Sequence, residues 1–116
     1  MPDGVITMAV EISYDLQEIM GTNIIDFAFE LTLHDTPTNI NRFEFIKRNE
    51  YGYDWVVSAF KGNKPVVGAT IVGTLSECVW YALYKASNLR KGGQLDDAVQ
   101  IIIRDIKKKF PDFHGF

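Results

Sequence analysis

The stretch "NIIDFAFELTLHD" constrains the fold of this chain more than any other. Ile25, Phe27, Phe29, Leu31 and Leu33 alternate with Asp26, Ala28, Glu30, Thr32 and His34. Successive side chains of a strand point to opposite faces, so this pattern makes one face apolar and the other polar. A slip of one residue would turn the whole apolar set to solvent, which fixes the register. Such a strand needs neighbours on its flanks and an apolar layer over one face.

The flanking sequence supplies the neighbours. After a loop, "TPTNIN", comes "RFEFIKRN", with Phe43 and Phe45 facing inward. "EYG" reads as a tight turn and "YDWVVSAF" as a strand in which Tyr53, Trp55 and Val57 alternate. "KGNK" is a hairpin turn and "PVVGATIV" the returning strand. Connections this short cannot cross over the sheet, so the strands form an antiparallel meander. Upstream, residues 5–12 admit two readings. Ile6, Met8, Val10 and Ile12 alternate as a strand would, while Val5, Ala9, Ile12, Leu16 and Ile19 form a helical stripe. Enrichment in β-branched residues favours the strand. Ser13 would then cap a short helix over Tyr14–Met20, stopped by Gly21.

The covering layer follows. Thr74-Leu75-Ser76-Glu77 fits a capping box, in which Thr74 and Glu77 each accept the other's free amide. Leu75, Val79, Ala82, Leu83 and Ala86 form the buried stripe of the helix it starts, which ends near Asn88. A second helix begins near Gln94 with the stripe Leu95, Val99, Ile102, Ile106 and Phe110. Its ends suit the macrodipole, with Asp96 and Asp97 at the start and Lys107–Lys109 at the finish. Pro111 stops it. The prediction is an α+β fold: an antiparallel meander of four to five strands with two C-terminal helices packed on one face, as a two-layer sandwich. The other face is left to water or to a partner. At 116 residues one domain is expected, spanning 1–116, with 1–4 and 112–116 as loose ends. Eight Phe in a chain 47 % hydrophobic are enough for a core.

Catalysis finds little to stand on. The single cysteine, Cys78, excludes an internal disulfide and a cysteine-based zinc site. It lies near a helix start, where a thiolate is favoured if accessible. But Leu75 and Ala82, three before it and four after it, place it on the buried stripe, and Glu77 beside it opposes a thiolate. It reads as a structural plug. His34 and His114 are eighty residues apart and no carboxylates stand at ligand spacing, so neither a metal nor a cofactor is expected. Asp26 and Glu30 share a strand face, but four residues of strand separate them by roughly 13 Å. A glycosidase-type pair needs about 5–10 Å. The glycines of "GNKPVVG" lack the phosphate-loop pattern. No enzyme is expected. The N-terminus lacks a basic n-region and no apolar run reaches the roughly 18–20 residues of a membrane span, so a cytoplasmic protein with no membrane partner is expected.

Binding is the better expectation. Residues 1–41 hold seven acidic side chains and no Lys or Arg, whereas 85–116 hold seven basic and four acidic ones. The plain reading is that the two ends pack together. The sharper one puts Glu11, Asp26 and Glu30 on an open sheet face that docks against a basic protein surface, where complementary charge speeds and orients association. Trp80 and Tyr84 lie one turn apart, off the main stripe. They either fill the groove between the helices or anchor a partner, since Trp and Tyr dominate interface hot spots. Self-association through that face would give a two-fold homodimer. The alternative is nucleic acid, held by Lys85, Arg90, Lys91, Arg104, Lys107, Lys108 and Lys109 at the helix ends with aromatics to stack on bases. A sequence pI of about 5.3 argues against it. The expected function is a small protein–protein interaction or inhibitor module.

Trp55–Phe60 and Val66–Val72, followed by Thr74 and Glu77, make a hairpin that runs straight into a capped helix. This order resembles the β-β-β-α unit of HicB-type antitoxins, in which a strand meets a Thr-x-Glu-Glu-Ala helix start. It is also similar to the strand-to-helix passage of small phage α/β sandwich proteins. "FKGNKPVVG" stands where the HicB type has Phe-Pro-Asp-Leu-Pro-Gly. By analogy, the resemblance implies an accessory protein that binds rather than catalyses.

Overall fold

The computed structural model describes residues 9–14, 25–34, 39–48, 55–86, 93–111 and 116. Five strands, β1 (Ala9–Ser13), β2 (Ile25–His34), β3 (Arg42–Arg48), β4 (Trp55–Lys61) and β5 (Lys64–Gly73), pair in chain order. Every neighbouring pair is antiparallel. Two helices follow, α1 (Leu75–Ala86) and α2 (Gly93–Lys109). This is the α+β meander with two C-terminal helices read from the sequence.

The alternation of β2 holds where side chains are described. Phe27, Phe29, Leu31 and Leu33 are all buried and meet Phe43, Phe45, Trp55 and Val57 from the next strands. Phe29 lies opposite Phe45, and their rings stack at 4.6 Å. The helices bring Leu75, Cys78, Val79, Ala82, Leu83, Leu95 and Ile106 onto this face. Ala28, on the opposite face, is also fully buried. It pairs with Ile46, which pairs with Val56, which pairs with Val72, so an apolar row crosses the far face at one end. That face is therefore not uniformly polar. Lys47 continues the inward alternation of Phe43 and Phe45, and it is 3 % exposed between Phe27 and Trp55.

β1 pairs with β2 along its length, which settles the two readings of its described residues in favour of the strand. Ser13 is the last residue of that strand; the short helix expected over Tyr14–Met20 lies outside the described residues except for Tyr14. Residues 1–4 also lie outside. Of 112–116 only Phe116 is described, and its ring stacks on Trp55 at 6.1 Å. Tyr14, Phe27 and Phe110 gather nearby, with Phe110 4.7 Å from Tyr14 and 4.8 Å from Phe27. Burial, and then the charge of Asp105, push the Tyr14 hydroxyl above its ordinary pKa.

β4 turns into β5 through Gly62 and Asn63, with Lys61 opposite Lys64. Gly62 adopts φ 59°, a left-handed conformation that glycine takes without strain. The ladder then breaks. Phe60 pairs with Pro65 and Ser58 with Thr70, so Val66–Ala69 stand against Ala59 alone. Gly68, at φ 79°, makes the bend, and Val67 at its crest is 98 % exposed. Among the described residues β5 ends the sheet, and a bulge in an edge strand disrupts the pairing template it offers to other chains.

The capping box forms. The Thr74 amide donates to Glu77 Oε1 at 2.8 Å and the Glu77 amide donates to Thr74 Oγ1 at 3.2 Å. These bonds hold the Glu77 carboxyl below the usual glutamate pKa. A carboxyl lowered in the folded state stabilises the fold above its unfolded pKa, and that contribution disappears as pH falls through the folded value. Gly73 makes room for the box, since a Cβ there would lie 2.8 Å from Glu77 Oε1. Thr74→Ala is expected to cost about 1 kcal/mol. Urea unfolding checks this through a lower midpoint at unchanged slope. An unchanged midpoint would mean that the box is idle.

Candidate functional site

The sheet places two of the expected acidic residues, Glu11 and Glu30, on one face but does not leave them bare. Glu11 and Ser13 of β1 sit opposite Thr32 and Glu30 of β2, so Glu11 and Glu30 share the face away from the helices. The register then brings Arg42 of β3 opposite Thr32, and Glu44 opposite Glu30. Arg42 Nη1 donates to Glu30 and, at 2.9 Å, to Glu44 Oε2, while its Nε donates to the Gly62 carbonyl at 2.9 Å. Its guanidinium lies 4.2 Å from the centre of the Phe60 ring. Partial burial works against the charge on Arg42, but Glu44 and Glu30 outweigh it and raise its pKa. Glu11 Oε1 is 3.0 Å from His34 Nε2. Asp26 lies in β2 where the register shifts between Ile25 and Phe27, and its side chain is outside the described residues. This face is thus a lattice of mixed charge built around Arg42, which sequence reasoning left out. The inward reading of Phe43 and Phe45 was the available signal, because it turns Arg42 and Glu44 outward.

Two of the expected basic residues lie over aromatic rings. Lys85 Nζ lies 5.6 Å from the Tyr81 ring on α1, and Lys109 Nζ lies 5.5 Å from the Tyr14 ring. Arg104, Lys107 and Lys108 are exposed on α2, and Arg90 and Lys91 are outside the described residues. Lys85 and Lys109 thus lie over rings of different elements, Tyr81 on α1 and Tyr14 after β1.

Trp80 and Tyr84, by contrast, are brought together. One helical turn separates them, and their rings stack at 5.0 Å with planes 8° apart. Tyr84 is 39 % exposed and Trp80 half-buried, so the pair packs on the core without being enclosed by it. Beside the pair runs an open groove of about 480 Å³. Ile71 of β5, Glu77, Trp80 and Tyr81 of α1, and Asp96 and Gln100 of α2 line it. The groove exists because α1 leaves the sheet edge at the capping box and α2 returns beside it. Its rim carries two carboxylates, Glu77 and Asp96, and among the described residues no basic side chain lines it. Burial raises the Tyr81 hydroxyl above its ordinary pKa.

Cys78 is fully buried, and its thiol donates to the Trp55 carbonyl at 3.6 Å, which places it in the core as the helical stripe implied. No group of three or more His, Cys, Asp or Glu among the described residues is arranged to hold a metal ion. No helix among them is long and apolar enough to cross a membrane. Compared with known proteins, the chain matches no family model, no curated protein and no solved structure, so the likeness to HicB-type and phage proteins rests on the strand-to-helix unit alone.

Proposed function

We propose that the chain is a protein-binding module that meets its partner through the Trp80/Tyr84 face of α1 and the groove beside it. The stacked pair carries this reading. Two large rings already held parallel present contact area without the entropy loss of ordering them on binding. Trp and Tyr are also the residues on which binding energy concentrates. The helix face is favoured over the sheet face because Glu30 and Glu44 already spend their charge on Arg42. An inhibitory role would follow if the surface covered by this face were a partner's working site.

A photo-crosslinking phenylalanine analogue at Tyr84, compared with one at Glu11, tests the proposal in cells of the source organism. The expected result is one defined protein adduct from Tyr84, none from Glu11, persistence after nuclease treatment, and loss with Trp80→Ala. A dominant adduct at Glu11 would move the contact to the sheet face. An adduct that disappears with nuclease would assign the protein to nucleic acid.

A further inference from the structure

We infer that the groove receives an arginine side chain from a protein segment lying along the β5 edge, with Trp80 and Tyr81 as its walls and Glu77 and Asp96 as its counter-charges. This deepens the protein-binding reading and rests on it. Charge is the first argument. The groove's described lining holds two carboxylates and no cation, although the chain has twelve Lys and Arg. Glu77 gives Oε1 to the Thr74 amide, and a carboxylate has further acceptor sites on its second oxygen.

The walls are the second argument. An indole face attracts a cation, and a planar guanidinium both stacks on it and donates to carboxylates in a fork. The molecule already does this elsewhere, where Arg42 lies on the Phe60 ring while donating to Glu30 and Glu44. Tyr81 itself has Lys85 Nζ 5.6 Å from its ring centre. The third argument selects a protein segment over a free cation. Ile71, which lines the groove, belongs to β5, and among the described residues β5 has a strand on one flank only. An extended segment laid along such an edge gains main-chain hydrogen bonds and sends alternate side chains toward the groove. Past the bulge, Thr70–Gly73 resume regular pairing with Trp55–Ser58, so the part of the edge that includes Ile71 lies outside the bulge.

The probe is the blocked peptide acetyl-Gly-Val-Arg-Val-Gly-amide, with citrulline replacing arginine in its neutral counterpart. Binding is followed by the indole N–H resonances of the full ¹⁵N-labelled chain. Trp80 lines the groove and Trp55 is fully buried, so one reports and the other is an internal reference. The expected result is a saturable shift of Trp80, with binding weaker by about tenfold for the citrulline peptide. Asp96→Asn and Glu77→Gln are each expected to weaken it about threefold. Gln at this position still serves a capping box, so the helix start survives. Equal binding of the two peptides, or no response to either neutralisation, would overturn the inference. So would acetyl-arginine amide binding as tightly as the pentapeptide, which would make the groove a site for small cations. If the Tyr84 crosslink captures a protein while the arginine peptide leaves Trp80 unmoved, the arginine inference falls and the protein-contact reading stands. If the peptide binds as expected and Tyr84 captures nothing, the contact reading loses its support instead.

Discussion

Trp55→Ala is expected to destabilise the protein by about 3–5 kcal/mol. A domain of this size has about 5–15 kcal/mol in total, so the variant would lie near the edge of folding. Trp55 is fully buried where several parts of the core meet. Its ring makes edge contacts with Phe27 at 6.3 Å and Phe29 at 5.7 Å, and stacks with Phe116. Its carbonyl accepts the Cys78 thiol, so β4 meets α1 through the same residue. Truncation removes the apolar area of an indole and leaves a void that a sheet on one side and a helix on the other cannot both close. At roughly 4 °C per kcal/mol for a chain of this length, the melting temperature should fall by about 12–20 °C. Circular dichroism on heating measures it. Trp55→Phe keeps a ring against Phe27 and Phe29 and should lose clearly less. A fall of only a few degrees for Trp55→Ala would mean that neighbouring rings collapse into the space, and that the core does not depend on this residue.

The parts of this fold that were legible in the sequence are those fixed by near neighbours. β2 declares itself because its period-two pattern runs over ten residues. The capping box declares itself because Thr74 and Glu77 satisfy each other within one turn. The Gly62–Asn63 hairpin declares itself because a left-handed residue is needed there and glycine supplies it. Cys78 was placed in the core by helical spacing alone. Trp80 and Tyr84 could be paired for the same reason, since one turn of helix brings them together.

What the sequence withheld depends on register and on the meeting of distant elements. Arg42 and Glu30 are twelve residues apart and meet only because β2 and β3 pair as they do. An acidic face was expected where a mixed one stands, because the acidic first third was read without the strand that crosses it. Asp96 was read as a macrodipole residue and Glu77 as a cap. Both readings hold locally, yet neither shows that α2 and β5 place the two carboxylates on one groove. The bulge of β5 had one signal, an isolated glycine at 68 inside a strand pattern. How many residues stand out of the ladder had no signal of its own, because it depends on where β4 and β5 resume pairing.

Arg42→Met should cost about 2 kcal/mol, between the small worth of an exposed pair and the larger loss when one partner of a buried pair is removed. The estimate sits between those limits because the side chains of Arg42, Glu30 and Glu44 are each only about a fifth exposed, at 20 % and 23 %. The loss has an identifiable source. Glu30 and Glu44 face each other across β2 and β3, and like charges directly opposite destabilise a sheet. Arg42 pairs with both. Methionine keeps an apolar stem against Phe60 but leaves the two carboxylates to repel. Adding Glu44→Gln to Arg42→Met should therefore recover about half the loss, although Glu44→Gln alone should be mildly destabilising. Arg42→Lys should fall between, because a point charge on a flexible stem cannot reach Glu30, Glu44 and the Gly62 carbonyl together. Chemical unfolding of the four variants measures the cycle. If the Glu44→Gln background leaves the cost of Arg42→Met unchanged, the work of Arg42 lies in its bond to the β4–β5 turn and its contact with Phe60, and charge balance on this face is incidental.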